Sequence, residues 1–164
     1  MEDAVLYYDA IADSYESLYR EEQIGKIKCM LKEIDLDGIE TVLDIGAGTG
    51  ILEEFLTGKD VTAIEPSRLS REILKKGLKN VKVINSRIED VDITERFDLV
   101  VCLTTLQDLN EEAREICLDK AFKSAKRGGT VVVSVLETSG IDLSHLKPTL
   151  VKRAENDVIF FFRR

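Results

Sequence analysis

Two acidic residues and three glycines carry most of the chemistry that can be read from spacing alone. The apolar run Val42-Leu43-Asp44-Ile45 passes into Gly46-Ala47-Gly48-Thr49-Gly50, and a second run, Val61-Thr62-Ala63-Ile64, ends in Glu65-Pro66. Alternating glycines let a loop turn sharply and bring its backbone against a ligand with no Cβ in the way. The residues that follow, Ile51-Leu52-Glu53-Glu54-Phe55-Leu56, have a helical pattern, so a strand, a glycine loop and a helix are expected in succession. Such a helix aims its free N–H groups and positive dipole end at whatever lies over the loop. A carboxylate at the tip of the neighbouring strand, Glu65, is placed to accept two hydrogen bonds from a ribose diol. Together these stretches predict a nucleoside-cofactor site built on Asp44, Gly46, Ala47, Gly48, Gly50, Glu65 and Pro66.

The glycine spacing discriminates between cofactors. A dinucleotide fingerprint places its third glycine where close helix packing beneath a pyrophosphate needs it, and that position is Ile51 here. Asp44, two residues before the first glycine, stands near where an anionic pyrophosphate would approach and suits a cationic amino group better. The pattern Asp-x-Gly-x-Gly-x-Gly followed by an acidic second-strand tip resembles motifs one and two of the class I S-adenosylmethionine (SAM)-dependent methyltransferases. The resemblance implies an α/β, Rossmann-like doubly wound sheet of seven strands in the order 3-2-1-4-5-7-6, with strand 7 antiparallel and helices on both faces. It also implies SAM as the cofactor. A nicotinamide-dependent oxidoreductase is disfavoured by Ile51 and by the lack of a Tyr-Lys hydride-transfer pair.

Composition narrows the setting. A chain of 164 residues reads as one domain, with residues 1–39 a helical cap and residues 40–164 the Rossmann-like core. The net charge of −8 repels nucleic acid and anionic membranes, which disfavours RNA as a substrate. Cys29, Cys102 and Cys117 are scattered within apolar patterns and read as reduced core residues, and the single histidine, His145, makes no metal cluster. With no long apolar run and an acidic start, a cytoplasmic protein with no metal is expected.

Further elements must position the site. Ile24, Ile27, Leu31 and Ile34 share one helix face, and Tyr7-Tyr8-Asp9-Ala10-Ile11-Ala12-Asp13-Ser14-Tyr15-Glu16 precedes them. That segment resembles the N-terminal pattern of the methyltransferases related to ubiquinone and menaquinone biosynthesis. The resemblance implies a cover over the cofactor cleft with Tyr15 close to the ligand; a helix that only packs is the alternative. Ser67 is placed to cap a helix running to about Lys76, with Leu69 and Ile73 on its buried face. Val81 to Ile84 form the third strand. The loop after it carries Ser86-Arg87-Ile88-Glu89-Asp90-Val91, and Arg87 stands where the family has the aspartate that often contacts the adenine. Backbone near Ile88, the Glu89 carboxylate, or stacking by Arg87 are three substitutes for that contact.

Phe97-Asp98-Leu99-Val100-Val101-Cys102 resembles motif four of the family, and its tip, Cys102-Leu103-Thr104, is expected between cofactor and substrate. A helix from about Asn110 to Lys126, a buried strand Thr130–Leu136, a short helix near Ile141–Leu146 and two strands, 150–154 and 158–163, complete the chain. Asn156 is expected to take the left-handed conformation in the turn between the last two.

Methyl transfer from a sulfonium requires in-line positioning and no catalytic triad. Asp108, Tyr15 and His145 are the candidate bases. Only about a dozen residues join strands five and six, leaving the N-terminal helices as the sole cover. The acceptor is then a small molecule, favoured by the family resemblance, or a macromolecule that an open cleft admits. A homodimer or partner chain completing the cleft, and a non-catalytic SAM-binding subunit, stay open.

Overall fold

The computed structural model describes residues 3–164. Alternation of strands with helices folds the chain into a seven-stranded sheet of order β3-β2-β1-β4-β5-β7-β6. The strands are β1 (Thr41–Ile45), β2 (Asp60–Ile64), β3 (Val81–Ile84), β4 (Phe97–Leu103), β5 (Ala125–Leu136), β6 (Leu150–Ala154) and β7 (Asp157–Arg163). The first five pair in parallel, whereas β7 runs antiparallel between β5 and β6, as the order expected from sequence requires.

Among the described residues, four α-helices flank the sheet: α1 (Ala4–Ile11), α2 (Tyr15–Leu31), α3 (Ser70–Lys75) and α4 (Glu111–Ser124). Successive strand residues point to opposite faces, so each central strand feeds two cores. Leu43, Val100, Cys102, Val133 and Phe160 pack with Cys117 and Ala121 of α4. Val42, Leu99, Val101, Val132 and Phe161 pack with Ile27 and Met30 of α2. Asn110 caps α4 by accepting the Ala113 N–H at 2.9 Å, which is why that helix starts where its sequence says.

Four expectations are corrected. The residues after the glycine loop form a single 3₁₀ turn, Glu53–Phe55, in place of a helix. Gly58 takes φ +82° and the chain enters β2 at Asp60, so the connection has no room for further turns, and Ile51, Leu52 and Leu56 are buried by one turn alone. The helix expected near Ile141–Leu146 is likewise reduced to a 3₁₀ turn at Ser144–Leu146. In the β6–β7 turn it is Glu155, with φ +54°, and not Asn156, that is left-handed, and Asp157 already belongs to β7. The helix expected from Ser67 begins as a regular α-helix only at Ser70, although Ser67 Oγ does accept the Leu69 N–H at 3.2 Å.

No helix among the described residues is long and apolar enough to cross a membrane.

Candidate functional site: a cleft at the strand tips

The carboxyl ends of β1, β2 and β4 open into a cleft of about 310 Å³, roofed by α1 and α2. This is where an open α/β sheet binds ligands, at the point where strand order reverses. The glycine loop is fixed from β2: the N–H groups of Gly46 and Ala47 donate to Ile64 O at 2.8 and 3.0 Å. Gly46 has φ +78°, and a Cβ there would overlap Thr105 Oγ1 on the turn after β4. Gly46→Ala is expected to cost about 1–3 kcal/mol, since the left-handed strain and this overlap act together. Chemical denaturation of the variant measures that loss.

Glu65, 6% exposed, is held by three donors. Its Oε2 accepts the Gly48 N–H at 2.9 Å, and its Oε1 accepts Ser67 N–H at 3.0 Å and Ser67 Oγ–H at 2.7 Å. A carboxylate offers about four lone-pair positions, so one on Oε2 stays free for a hydroxyl and a second opens only by displacing Ser67. Burial pushes the Glu65 carboxyl above the usual range, and those three donors oppose it.

Asp44, 4% exposed, has no cationic partner among the described residues. Burial, and then the carboxyl of Glu53 beside it, raise its pKa well above the ordinary value. Glu53 comes from the 3₁₀ turn behind the loop, is 2% exposed, and is pushed by burial to a pKa of about 7. Both Glu53 oxygens are buried without a hydrogen-bond partner, so each carboxyl disfavours ionisation of the other.

The roof contributes aromatic rings. Tyr15 lies over the loop, its hydroxyl 3.6 Å from where a Cβ on Gly48 would sit. Its ring centroid is 6.1 Å from Tyr8 and 5.2 Å from Tyr19. Tyr8 Oη donates to Asp108 Oδ2 at 2.8 Å, joining α1 to the turn after β4. Burial raises the pKa of both Tyr8 and Asp108, so the phenol stays protonated and serves as the donor. Two more polar contacts hold α1 down: Asp9 Oδ1 accepts the Arg68 N–H at 2.6 Å, and Asp3 pairs with Arg87 at 2.5 Å.

Of the residues singled out from sequence, Asp44, Gly46, Ala47, Gly48, Glu65, Pro66, Arg87, Ile88, Glu89, Leu103, Thr104, Asp108 and Tyr15 line the cleft. Three do not. Gly50 faces the core, where a Cβ would meet Ile73 at 3.1 Å. The Cys102 thiol turns to Cys117, 3.9 Å away. His145 is exposed, its ring against Asp142 O on the 3₁₀ turn before β6, which removes it as a base for this cleft.

Tyr8, Tyr19, Glu22, Gln23, Gln107 and Asn156 are lining residues that the sequence reading missed. It also missed a buried pair beneath Thr104: Lys26 Nζ, fully buried on α2, donates to Thr104 Oγ1 at 2.6 Å and lies 3.4 Å from Asp157 Oδ1. Asp157 Oδ2 in turn accepts Thr104 Oγ1–H at 2.8 Å and Ser134 Oγ–H at 2.6 Å. These contacts hold Thr104 at φ +54° on the tip of β4.

A family described as a methyltransferase domain matches residues 42–129, more than half of the sequence. The chain belongs to that family. Among curated proteins, it is 32% identical over 104 residues to the mitochondrial ubiquinone biosynthesis O-methyltransferase of Schizosaccharomyces pombe, covering 58% of this chain and 37% of that one. It is 34% identical over 107 residues to protein arginine N-methyltransferase 6 of Xenopus laevis, covering 60% of this chain and 30% of that one. The chain thus spans about a third of the length of these two relatives. In structure it matches magnesium protoporphyrin IX methyltransferase from Synechocystis, solved with bound SAM, with a TM-score of 0.77 at 15% identity, covering 100% of this chain and 98% of that one. That likeness extends through the complete fold.

Proposed function

We propose that this chain binds SAM in the strand-tip cleft and transfers its methyl group to an acceptor admitted beneath the tyrosine roof. The observation that carries the reading is the buried Glu65 carboxylate, tied to the Gly48 N–H and facing the cleft beside Asp44. The residues present fit the group. Glu65 Oε2 keeps an acceptor position for a ribose hydroxyl, Gly46 and Gly48 leave backbone exposed to the ligand, and Asp44 offers a buried carboxyl to an ammonium. The names of the relatives and the SAM in the solved neighbour support the same assignment.

When bound, SAM supplies an activated methyl on a sulfonium. The chain's own work is then geometric: α1 and α2 exclude water, the Thr104 tip fixes the wall next to the acceptor, and Asp108 stands ready to hold a proton. Alignment of this kind is worth about 7–11 kcal/mol of barrier.

Calorimetric titration with S-adenosylhomocysteine, with NAD as the control, tests the reading. Micromolar binding of the first and none of the second is expected. Glu65→Ala should weaken binding at least tenfold, because each charge-assisted hydrogen bond contributes about 1.5–3 kcal/mol. Folded wild-type protein that binds neither compound would refute the assignment.

A further inference from the structure

The acceptor half of the cleft carries its own chemical signature, distinct from the glycine loop. Its wall comes from α1, α2 and the turn after β4, with Tyr8, Tyr15, Tyr19, Glu22, Gln107 and Asp108 facing one space. Three phenol rings stand side by side, with centroids 5.2 and 6.1 Å apart. Asp108 is half-buried and hydrogen-bonded on one oxygen, leaving Oδ1 for a ligand. Gln107 Nε2 donates to Thr104 O at 2.5 Å, which fixes this side chain against the turn after β4.

Charge sorts the possible ligands. Among the described residues lining the cleft, five carry carboxyls (Glu22, Asp44, Glu65, Glu89 and Asp108) and one, Arg87, carries a positive charge, which Asp3 already engages. On the acceptor side a carboxylate or phosphate would meet Glu22 and Asp108, with Arg87 already engaged. A cation meets the tyrosine rings, whose π systems attract it, and a carboxylate within reach.

Resting on the proposed function, we infer that the methyl acceptor is an amine, taken up as its ammonium form in the cage of Tyr8, Tyr15, Tyr19, Gln107 and Asp108. In the reaction the ammonium gives one proton to the Asp108 carboxylate and becomes a free amine. Its lone pair then forms the N–CH₃ bond as the C–S bond breaks, and that electron pair passes to sulfur. The products are a methylated ammonium and neutral S-adenosylhomocysteine, with the proton on Asp108 released to water. Tyr8 is the positioning residue: its O–H holds Asp108 Oδ2 and turns Oδ1 toward the acceptor.

The test uses three probes of similar size, benzylamine, benzyl alcohol and benzoate, titrated at pH 7 into the full chain with and without S-adenosylhomocysteine. Benzylamine is expected to bind at least tenfold more tightly than benzoate in both conditions, with the alcohol between them. Asp108→Asn should reduce benzylamine affinity at least tenfold and leave the alcohol within about threefold. Tyr8→Phe should weaken the amine by a smaller factor and move the pH midpoint of its binding, a change that loss of ring packing alone does not make. Equal affinity for benzylamine and benzoate, or no binding of the amine in either condition, overturns the inference. Failure of S-adenosylhomocysteine to bind while the amine still does overturns the proposed function instead.

Discussion

Lys26→Met is expected to destabilise the protein by about 3–5 kcal/mol, the range for leaving one member of a buried ion pair unpaired. Lys26 has no exposed surface and Asp157 is 1% exposed, so water cannot replace the lost ammonium. The two hydroxyl donors from Thr104 and Ser134 remain on Asp157, but they do not neutralise its charge. For a chain of this size the loss corresponds to a fall in Tm of roughly 10 °C. Removing both charges, in Lys26→Met/Asp157→Asn, should restore at least half of the lost stability, because an amide can still bond the hydroxyls without a buried charge. Urea denaturation of the two variants measures both effects. A single-variant loss below about 1 kcal/mol, or a double variant no better than the single, would contradict the account. Since the pair also holds Thr104 at the tip of β4, Lys26→Met is expected to loosen the wall of the cleft as well as the core.

This pair shows why part of the site could not be read from the sequence. Glu22 and Lys26 are four residues apart on α2, which reads as an ordinary solvated pair on a helix face. Their partners, Thr104 and Asp157, are 78 and 131 residues from Lys26, and only the insertion of β7 beside β5 brings them together. The Tyr8–Asp108 contact spans 100 residues and is invisible for the same reason. By contrast, the strand order and the residues that meet at the strand tips were legible, because those signals are local. Asp44, Gly46, Gly48 and Glu65 lie at the ends of consecutive strands that pair in register, Thr41 opposite Asp60 through Ile45 opposite Ile64. The strand expected at 158–163 is likewise present as β7, which pairs on both sides, with β5 and with β6.

The absent helix after the loop failed differently. The pattern Ile51-Leu52-x-x-x-Leu56 is satisfied equally by one 3₁₀ turn and by the start of an α-helix. What decides is the length of chain left before β2, and Gly58 with its left-handed backbone ends the turn. Asn156 misled for a related reason. Asn is the commoner left-handed residue, but the register that pairs Ala154 with Asp157 puts Glu155 at the position that must take positive φ.

The shortened connection has an energetic consequence at Glu53, whose carboxyl it buries against Asp44. Glu53 has a pKa of about 7 in the folded protein against 4.5 as its ordinary value. Between these values the folded state binds more protons than the unfolded state. Stability is therefore fully present below about pH 4.5, declines as the pH rises through 7, and levels off above. The raised Asp44 carboxyl acts in the same direction. A shift of this size corresponds to about 3 kcal/mol of stability lost across the window. Glu53→Gln keeps the shape, can donate to Asp44, and removes the titration, so it should stabilise the ligand-free protein by about 2–3 kcal/mol at pH 8 and by much less at pH 5. Denaturation at the two pH values measures the difference between variant and wild type, in which contributions from other groups cancel. The same pair links protonation to ligand binding. An ammonium docking on Asp44 favours its carboxylate, so S-adenosylhomocysteine binding near pH 7 should release a proton, visible as a dependence of the binding heat on the ionisation enthalpy of the buffer. Glu53→Gln should reduce that release. An unchanged stability slope in Glu53→Gln would overturn the assignment to Glu53 and leave the pH dependence to Asp44.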